Sequence, residues 1–417
     1  MPLQEVISPA MRAALVRLAL VTSLGAFTSA CTAPAPLAPK TSPAVKPWGA
    51  GALRDEAKRL AAITKSSLGQ RFLAATAELP HVAPRTLFAD SSKAHYFTSR
   101  EALALSPQER AALKTIEVDE ESYYETKYGS PLSYVRPLDV LSAHGVTLAK
   151  GDRVLDFGYG YVGHLRLLAT LGFRVTGVDV DPMLRALYSE PGDQGMLSVN
   201  GMAGSVTLLD GPFPKDPKIR EAVGTGYALV ISKNVLKRGY IHPDRPADPK
   251  QLIDLGMTED AVLAAFFAAL RPGGTMLVYN ICPALSPPDK PFVPWSDGRS
   301  PFSREAWTAA GFVVVELDRD DVTAVQEMAR LLGWDKDPDE PWDVEHDISV
   351  LYTLVTRPGC RYRSMSSSLS RSKRSSAPRR ANAATRNGRR GPRSYEAPRA
   401  YVARRAFGKR SRREPGR

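Results

Sequence analysis

Residues 123–357 predict a three-layer α/β domain on a seven-stranded sheet, with a helical extension ahead of it at 51–122. Three observations carry that reading. From Gly151 onward, short apolar runs alternate with segments whose apolar residues recur at helical spacing. The first run ends in an acid and a glycine-rich turn, Asp156-Phe157-Gly158-Tyr159-Gly160-Tyr161-Val162-Gly163. A Pro272-Gly273-Gly274 turn closes the helical stretch before the fifth run.

Taken in order, 53–79 repeats apolar residues at helical spacing and predicts a helix. Ser106-Pro107-Gln108-Glu109 signals a second one: an N-cap, Pro at the first helical position and Glu placed for a capping box. The aromatic stretch Tyr123-Tyr124-Glu125-Thr126-Lys127-Tyr128 fits a cap packed on the next domain and a lid over its site equally well. Strands follow at 153–156, 174–179, 205–210, 228–232, 275–279, 312–317 and 348–355. Helices are expected from the glycine turn to about 171, after Asp181-Pro182, and at 260–270, 302–310 and 322–332.

Composition narrows the function classes. The net charge of +12 over 417 residues is unevenly placed: 357–417 carries 20 Lys+Arg and 2 Asp+Glu. The remaining 36 bases and 42 acids leave the body at −6, which argues against a nucleic-acid-binding folded domain. Three cysteines without a CxxC pair and six scattered histidines support neither a disulfide scaffold nor a zinc site, and no metal is expected.

The chain ends read differently from its middle. Within 1–31, Arg12 and Arg17 precede an apolar stretch at 18–27, then Thr28-Ser29-Ala30-Cys31. This resembles a bacterial lipoprotein signal, which implies export or membrane anchoring through the N-terminus; a cytoplasmic enzyme read from an upstream start is the alternative. An Ala/Pro-rich linker is expected over 32–50. Beyond 357, Ser, Arg, Ala and Pro dominate without apolar periodicity, so 358–417 is expected to be a disordered basic tail.

Gly158-x-Gly160-x-x-Gly163, with Asp179 21 residues beyond Gly158, matches the dinucleotide fingerprint and by itself fits an NAD(P)-dependent oxidoreductase. Its surroundings point elsewhere. Val154-Leu155-Asp156-Phe157-Gly158-Tyr159-Gly160, Val175-Thr176-Gly177-Val178-Asp179, Leu208-Leu209-Asp210-Gly211-Pro212-Phe213, Tyr227-Ala228-Leu229-Val230-Ile231-Ser232 and Leu270-Arg271-Pro272-Gly273-Gly274 stand in order. Over 123–357 the chain resembles the class I S-adenosylmethionine-dependent methyltransferases, and the resemblance implies their Rossmann-like sheet and S-adenosyl-L-methionine as cofactor. It departs from the family at Val162, where a third glycine is usual; here Gly163 follows one residue later.

The chemistry of that cofactor gives each position a task. Asp156 is placed for its ammonium, Gly158 and Gly160 for close backbone approach, and Asp179 for the ribose hydroxyls. Asp210 is placed for the adenine amino group, with Phe213 or Leu209 against the ring. An aspartate at 156 would repel the pyrophosphate of a dinucleotide. On the acceptor side, the segment after the fourth strand lacks the Asn-Pro-Pro-aromatic motif of enzymes that methylate nucleobase amines, which favours a small-molecule substrate. Asn234 and Lys233 lie nearest the expected methyl position, and His242 is a candidate general base that fits a loop cap beside Pro243 as well. Tyr128 and Trp295 are candidate substrate contacts. A non-catalytic exported binding protein on the same fold is the remaining alternative.

Overall fold

The computed structural model describes residues 50–125, 130–199, 201–336 and 341–359. The chain divides into the units Met1–Lys46 and Pro47–Arg417. The signal-like segment with Cys31, nearly all of the linker, Tyr128 and the basic tail lie outside the described residues.

The extension begins with α1 (Ala50–Ala61) and α2 (Ser67–Ala74). Where the spacing predicts one helix, the chain breaks between them around a buried carboxylate. Asp139 accepts from the backbone N–H groups of Lys65 and Ser66 at 3.0 and 2.9 Å, and the Ser66 side chain caps α2 by accepting from Gly69.

A three-stranded antiparallel sheet follows, an addition to the helical expectation. It holds β1 (Arg85–Ala89), β2 (Tyr96–Thr98) and β3 (Lys114–Val118) in the order β2-β1-β3. Strands this short, with few buried positions, leave little period-2 signal to read. Between β2 and β3 lie α3 (Ser99–Leu103) and α4 (Pro107–Ala111), the latter with both halves of the Ser106/Glu109 capping box formed. α5 (Glu120–Tyr124) and α6 (Val135–Ala143) lead into the main sheet.

That sheet has eight strands: β4 (Arg153–Phe157), β5 (Arg174–Asp179), β6 (Gly195–Val199), β7 (Met202–Asp210), β8 (Tyr227–Lys233), β9 (Leu270–Pro283), β10 (Val313–Asp320) and β11 (Ile348–Thr356). Their order is β10-β11-β9-β8-β4-β5-β7-β6. The five strands β7-β5-β4-β8-β9 pair in parallel and reproduce the 3-2-1-4-5 order of a doubly wound sheet. Antiparallel β11 is then inserted between β9 and β10, where the dinucleotide fold continues with a parallel sixth strand. The eighth strand, β6, is an antiparallel edge partner of β7.

Both faces of the middle of the sheet are covered, so β4, β5, β8 and β9 are apolar at successive positions. Val154, Leu229, Ile231, Leu277 and Tyr279 join one cluster with residues of α1, α2, α6, α7 (Gly163–Thr170), α8 (Pro182–Leu187) and α13 (Val322–Leu332). Leu155, Val230, Met276 and Val278 join the other, with residues of α9 (Pro217–Val223), α10 (Arg238–Ile241), α11 (Glu259–Ala269) and α12 (Arg304–Ala309). The first cluster runs from Ala50 to Leu354, so extension and sheet share one core. The Pro-Gly-Gly turn is absorbed into β9 as a register shift: Tyr227 faces Leu270 and Leu229 faces Thr275. Gly274 is required there because a Cβ would stand 2.7 Å from the Tyr227 carbonyl oxygen.

Candidate active site

The order of the sheet reverses between β4 and β8, which makes their carboxyl ends the switch point at which doubly wound sheets bind ligands. β4 delivers Asp156 there, and the chain turns through Gly158 and Gly160 at φ +78° and +64° before entering α7. These are left-handed conformations that glycine adopts without a Cβ penalty. A Cβ on Gly160 would meet no atom within 4 Å, whereas one on Gly158 would strike Val235 at 2.4 Å. The backbone is therefore open at Gly160 and roofed by Val235 at Gly158.

Asp179, at the end of β5, holds this loop in place. Its Oδ2 accepts from the Gly160 N–H at 2.9 Å, and its Oδ1 accepts from Val180 and Asp181 at 2.7 and 3.0 Å. Burial raises its pKa to about 6 against those three N–H groups, with Asp181 adding to the rise. Asp210 pairs in register with Asp179 on the next strand and is exposed; burial of its carboxyl still raises its pKa, and Arg185 opposes the rise. Three adjacent strand ends thus each carry an aspartate.

Asp156 is fully buried. Its Oδ2 lies 2.9 Å from His164 Nε2 in the first turn of α7, while its Oδ1 has no hydrogen-bond partner. The Tyr134 ring stacks on His164 at 3.8 Å between centroids, and its phenol is held well above its usual pKa by burial and by the facing Asp156 carboxylate. Lys233, at the end of β8, stands with its Nζ 5.4 Å from the Tyr134 ring centroid. Burial lowers its pKa to about 8, helped by Lys237 and opposed by Asp156. Tyr134, His164 and Lys237 escape a reading by motif because none sits in a glycine or aspartate signature. His164 alone had a positional signal, directly after the third glycine of the fingerprint.

Other predicted residues take different places. Phe213 packs into an aromatic cluster with Phe157 and Phe266 at centroid distances of 6.3 and 5.6 Å and is 5% exposed, so it belongs to the core rather than to an adenine wall. Asn234 adopts φ +65°, and its Oδ1 accepts from the Ile281 N–H at 2.7 Å; its side chain clamps β8 to β9 instead of facing a substrate. His242 Nε2 lies 2.6 Å from Glu259 Oε1 at the start of the helix that precedes β9. Trp295 is partly buried, and its carbonyl accepts from Lys237 Nζ at 3.3 Å.

The third glycine of the fingerprint faces protein. A Cβ on Gly163 would stand 2.1 Å from the Tyr124 carbonyl oxygen, with Pro131 carbons at 3.0 and 3.1 Å. One residue earlier, the Val162 N–H donates to the Tyr188 hydroxyl at 3.1 Å, and that hydroxyl donates to the Tyr123 carbonyl at 2.9 Å. The start of α7 is thus closed by α5. Tyr123 and Tyr124 are 1% and 0% exposed and pack against the start of α7, while Tyr128 of the same stretch lies outside the described residues.

Strand order and site together define a Rossmann-like α/β protein that resembles class I S-adenosylmethionine-dependent methyltransferases. No family model matches the chain, and no curated protein matches it. Among solved structures it is similar to phosphoethanolamine N-methyltransferase 2 of Haemonchus contortus in complex with S-adenosyl-L-methionine: 13% identity over 70% of this chain and 75% of that one, TM-score 0.34. It is also similar to the cyclopropane synthase MmaA2 from Mycobacterium tuberculosis, at 14% identity over 56% and 88% of the two chains and TM-score 0.33. The fold assignment rests on the strand order, not on these likenesses.

Proposed function

We propose that the protein transfers a methyl group from S-adenosyl-L-methionine to a small-molecule acceptor. The observation that carries the proposal is the set of three carboxylates at adjacent strand ends around a backbone loop open at Gly160. The cofactor fits the donors this chain lacks. Asp156 Oδ1 is a buried acceptor without a donor, and an ammonium supplies one. Asp179 retains a lone pair on Oδ2 for a ribose hydroxyl, and exposed Asp210 can accept from an adenine amino group. A dinucleotide fits less well, because its pyrophosphate needs a free helix N-terminus and α7 is closed by Tyr188 and Tyr124.

Bound there, the cofactor supplies an electrophilic methyl on a sulfonium. The residues of this chain would orient it: the Asp179–Gly160 hydrogen bond fixes the loop, and Asp156, held by His164, fixes the position of the negative charge. With Asn234 engaged by the Ile281 N–H, alignment and exclusion of water carry the reaction, as methyl transfer from a sulfonium chiefly requires.

Calorimetry with adenosylhomocysteine tests this reading. Wild type should bind it, and Asp179→Ala should lose about 1.5–3 kcal/mol, the scale of a charged hydrogen bond. The pH dependence has a fixed sign. Ribose hydroxyls donate to the ionised carboxylate, and Asp179 is half protonated near pH 6, so affinity should fall as pH drops from 7.5 to 5. Asp179→Asn should flatten that step. Tight NADH binding with none of adenosylhomocysteine would overturn the assignment in favour of an oxidoreductase.

A further inference from the structure

The segments after β8 and β9 fold against one another and bring several cations together. The Arg238 N–H donates to the Arg299 carbonyl at 2.7 Å, and a Cβ on Gly239 would lie 2.0 Å from the Pro294 carbonyl oxygen, so the two segments touch backbone to backbone. The arginines of this substructure are spent. Arg238 and Arg299 share Asp244 at 2.7 and 2.6 Å, and Arg299 also takes Asp297 at 2.6 Å. Arg245 donates to the backbone carbonyls of Ser286, Pro287 and Pro288.

The two lysines are not. Among the described residues, neither Lys233 nor Lys237 forms an ion pair. Lys237 is 4% exposed, and its Nζ reaches the Trp295 carbonyl at 3.3 Å, the Cys282 thiol, and the Tyr240 ring at 5.4 Å from its centroid. Lys233 has the Tyr134 ring. Asp156 is the carboxylate that acts on Lys233, and His164 already holds one of its oxygens. Buried charge without a counter-charge is costly, and a ligand of opposite sign removes that cost. The methyl donor does not, since its sulfonium and ammonium outweigh its carboxylate by one positive charge.

We propose that the acceptor carries an anionic group, a carboxylate or a phosphate, which pairs with Lys233 in the field of the buried Lys237. This rests on the methyl-transfer reading for the word acceptor, while the anion site itself is a property of the two lysines. Lys233, partly exposed at the strand end on a four-carbon stem, can meet such a group directly, and the like charge of Lys237 adds to the field it meets.

The test uses the full chain with inorganic phosphate and acetate as probes. Each is titrated at constant ionic strength, with and without saturating adenosylhomocysteine, and the rise in Tm gives its Kd. Wild type should bind at least one probe saturably, and the preferred probe tells phosphate from carboxylate. Lys233→Met should weaken that binding at least tenfold and Lys233→Arg less than threefold, with adenosylhomocysteine affinity changed less than threefold in both. The basic tail is common to all three proteins and cancels. Absence of saturable binding to either anion, or equal binding by Lys233→Met, would overturn the proposal. So would a tenfold loss of adenosylhomocysteine affinity in Lys233→Met, which would place the lysine on the cofactor's own carboxylate. If wild type fails to bind adenosylhomocysteine, the methyl-transfer reading falls, and the nucleotide-free arm alone decides the anion site.

Discussion

Asp193→Ala should destabilise the protein by about 3–5 kcal/mol, the range for removing one partner of a buried ion pair. Asp193 is 2% exposed and sits between the extension and the sheet. Its two oxygens take Arg85 of β1 in a fork at 2.7 and 2.7 Å, the Tyr123 hydroxyl of α5 at 2.9 Å, and the N–H of Glu190 at 2.8 Å. Arg166, in α7, donates to the neighbouring carbonyls of Gly192 and Asp193 at 2.8 and 3.3 Å. Truncation would leave the Arg85 guanidinium, 18% exposed at its side chain, and a buried phenol without their acceptor. Urea titration of wild type and variant reads the difference directly. The double replacement Arg85→Met with Asp193→Leu should recover more than half of the loss, because a well-packed apolar pair carries no orphaned charge. A single-variant loss below about 1 kcal/mol would mean that water already reaches the pair, as at a surface salt bridge.

The pair also explains what the sequence could not show. Alternation of apolar runs and helical spacing made β4, β5, β7, β8, β9, β10 and β11 legible: β4, β5, β8, β9 and β11 are buried at most positions and need apolar residues there, while the edge strand β10 showed only through Val313-Val314-Val315. The same logic fails for β1, β2 and β3, which are short and bury few residues. It also fails for the interface between extension and sheet, since Arg85, Asp193 and Arg166 read as surface charges until they are brought together. In the site, Asp156, Asp179 and Asp210 could be placed because strand ends are fixed by the strands themselves. Phe213 could not, since whether an aromatic after a strand faces a ligand or the core depends on Phe157 and Phe266, neither of which is local to it. Asn234 misled for a related reason. A polar residue just past a strand end resembles a substrate contact, and only the Ile281 N–H reveals a clamp.

Gly163→Ala separates the two meanings of the glycine fingerprint. In a dinucleotide site the third glycine serves close packing of helix on strand beside a phosphate held at the helix N-terminus. Here the atom that forbids a Cβ is the carbonyl oxygen of Tyr124, 2.1 Å from where the Cβ would stand. That oxygen belongs to α5 of the extension, whose backbone cannot retreat without breaking the contact of Tyr188 with the Tyr123 carbonyl and the Val162 N–H. The substitution should cost about 3 kcal/mol, the upper end of the overpacking range, because backbone rather than a flexible side chain must move. Gly160→Ala should behave in the opposite way. Its φ of +64° makes alanine costly by about 1 kcal/mol, and no atom lies within 4 Å of the added methyl, so stability falls little. That methyl would project into the open space beside Asp179, and adenosylhomocysteine affinity should drop at least tenfold. Thermal melts and nucleotide titrations of the two variants therefore form a cross. Gly163→Ala lowers Tm and leaves the affinity of the folded protein within threefold, whereas Gly160→Ala lowers affinity and spares Tm. A Gly163→Ala protein that melts like wild type but no longer binds nucleotide would put the third glycine at the ligand after all. The closed start of α7 would then have to open on binding, and the dinucleotide reading would regain its footing.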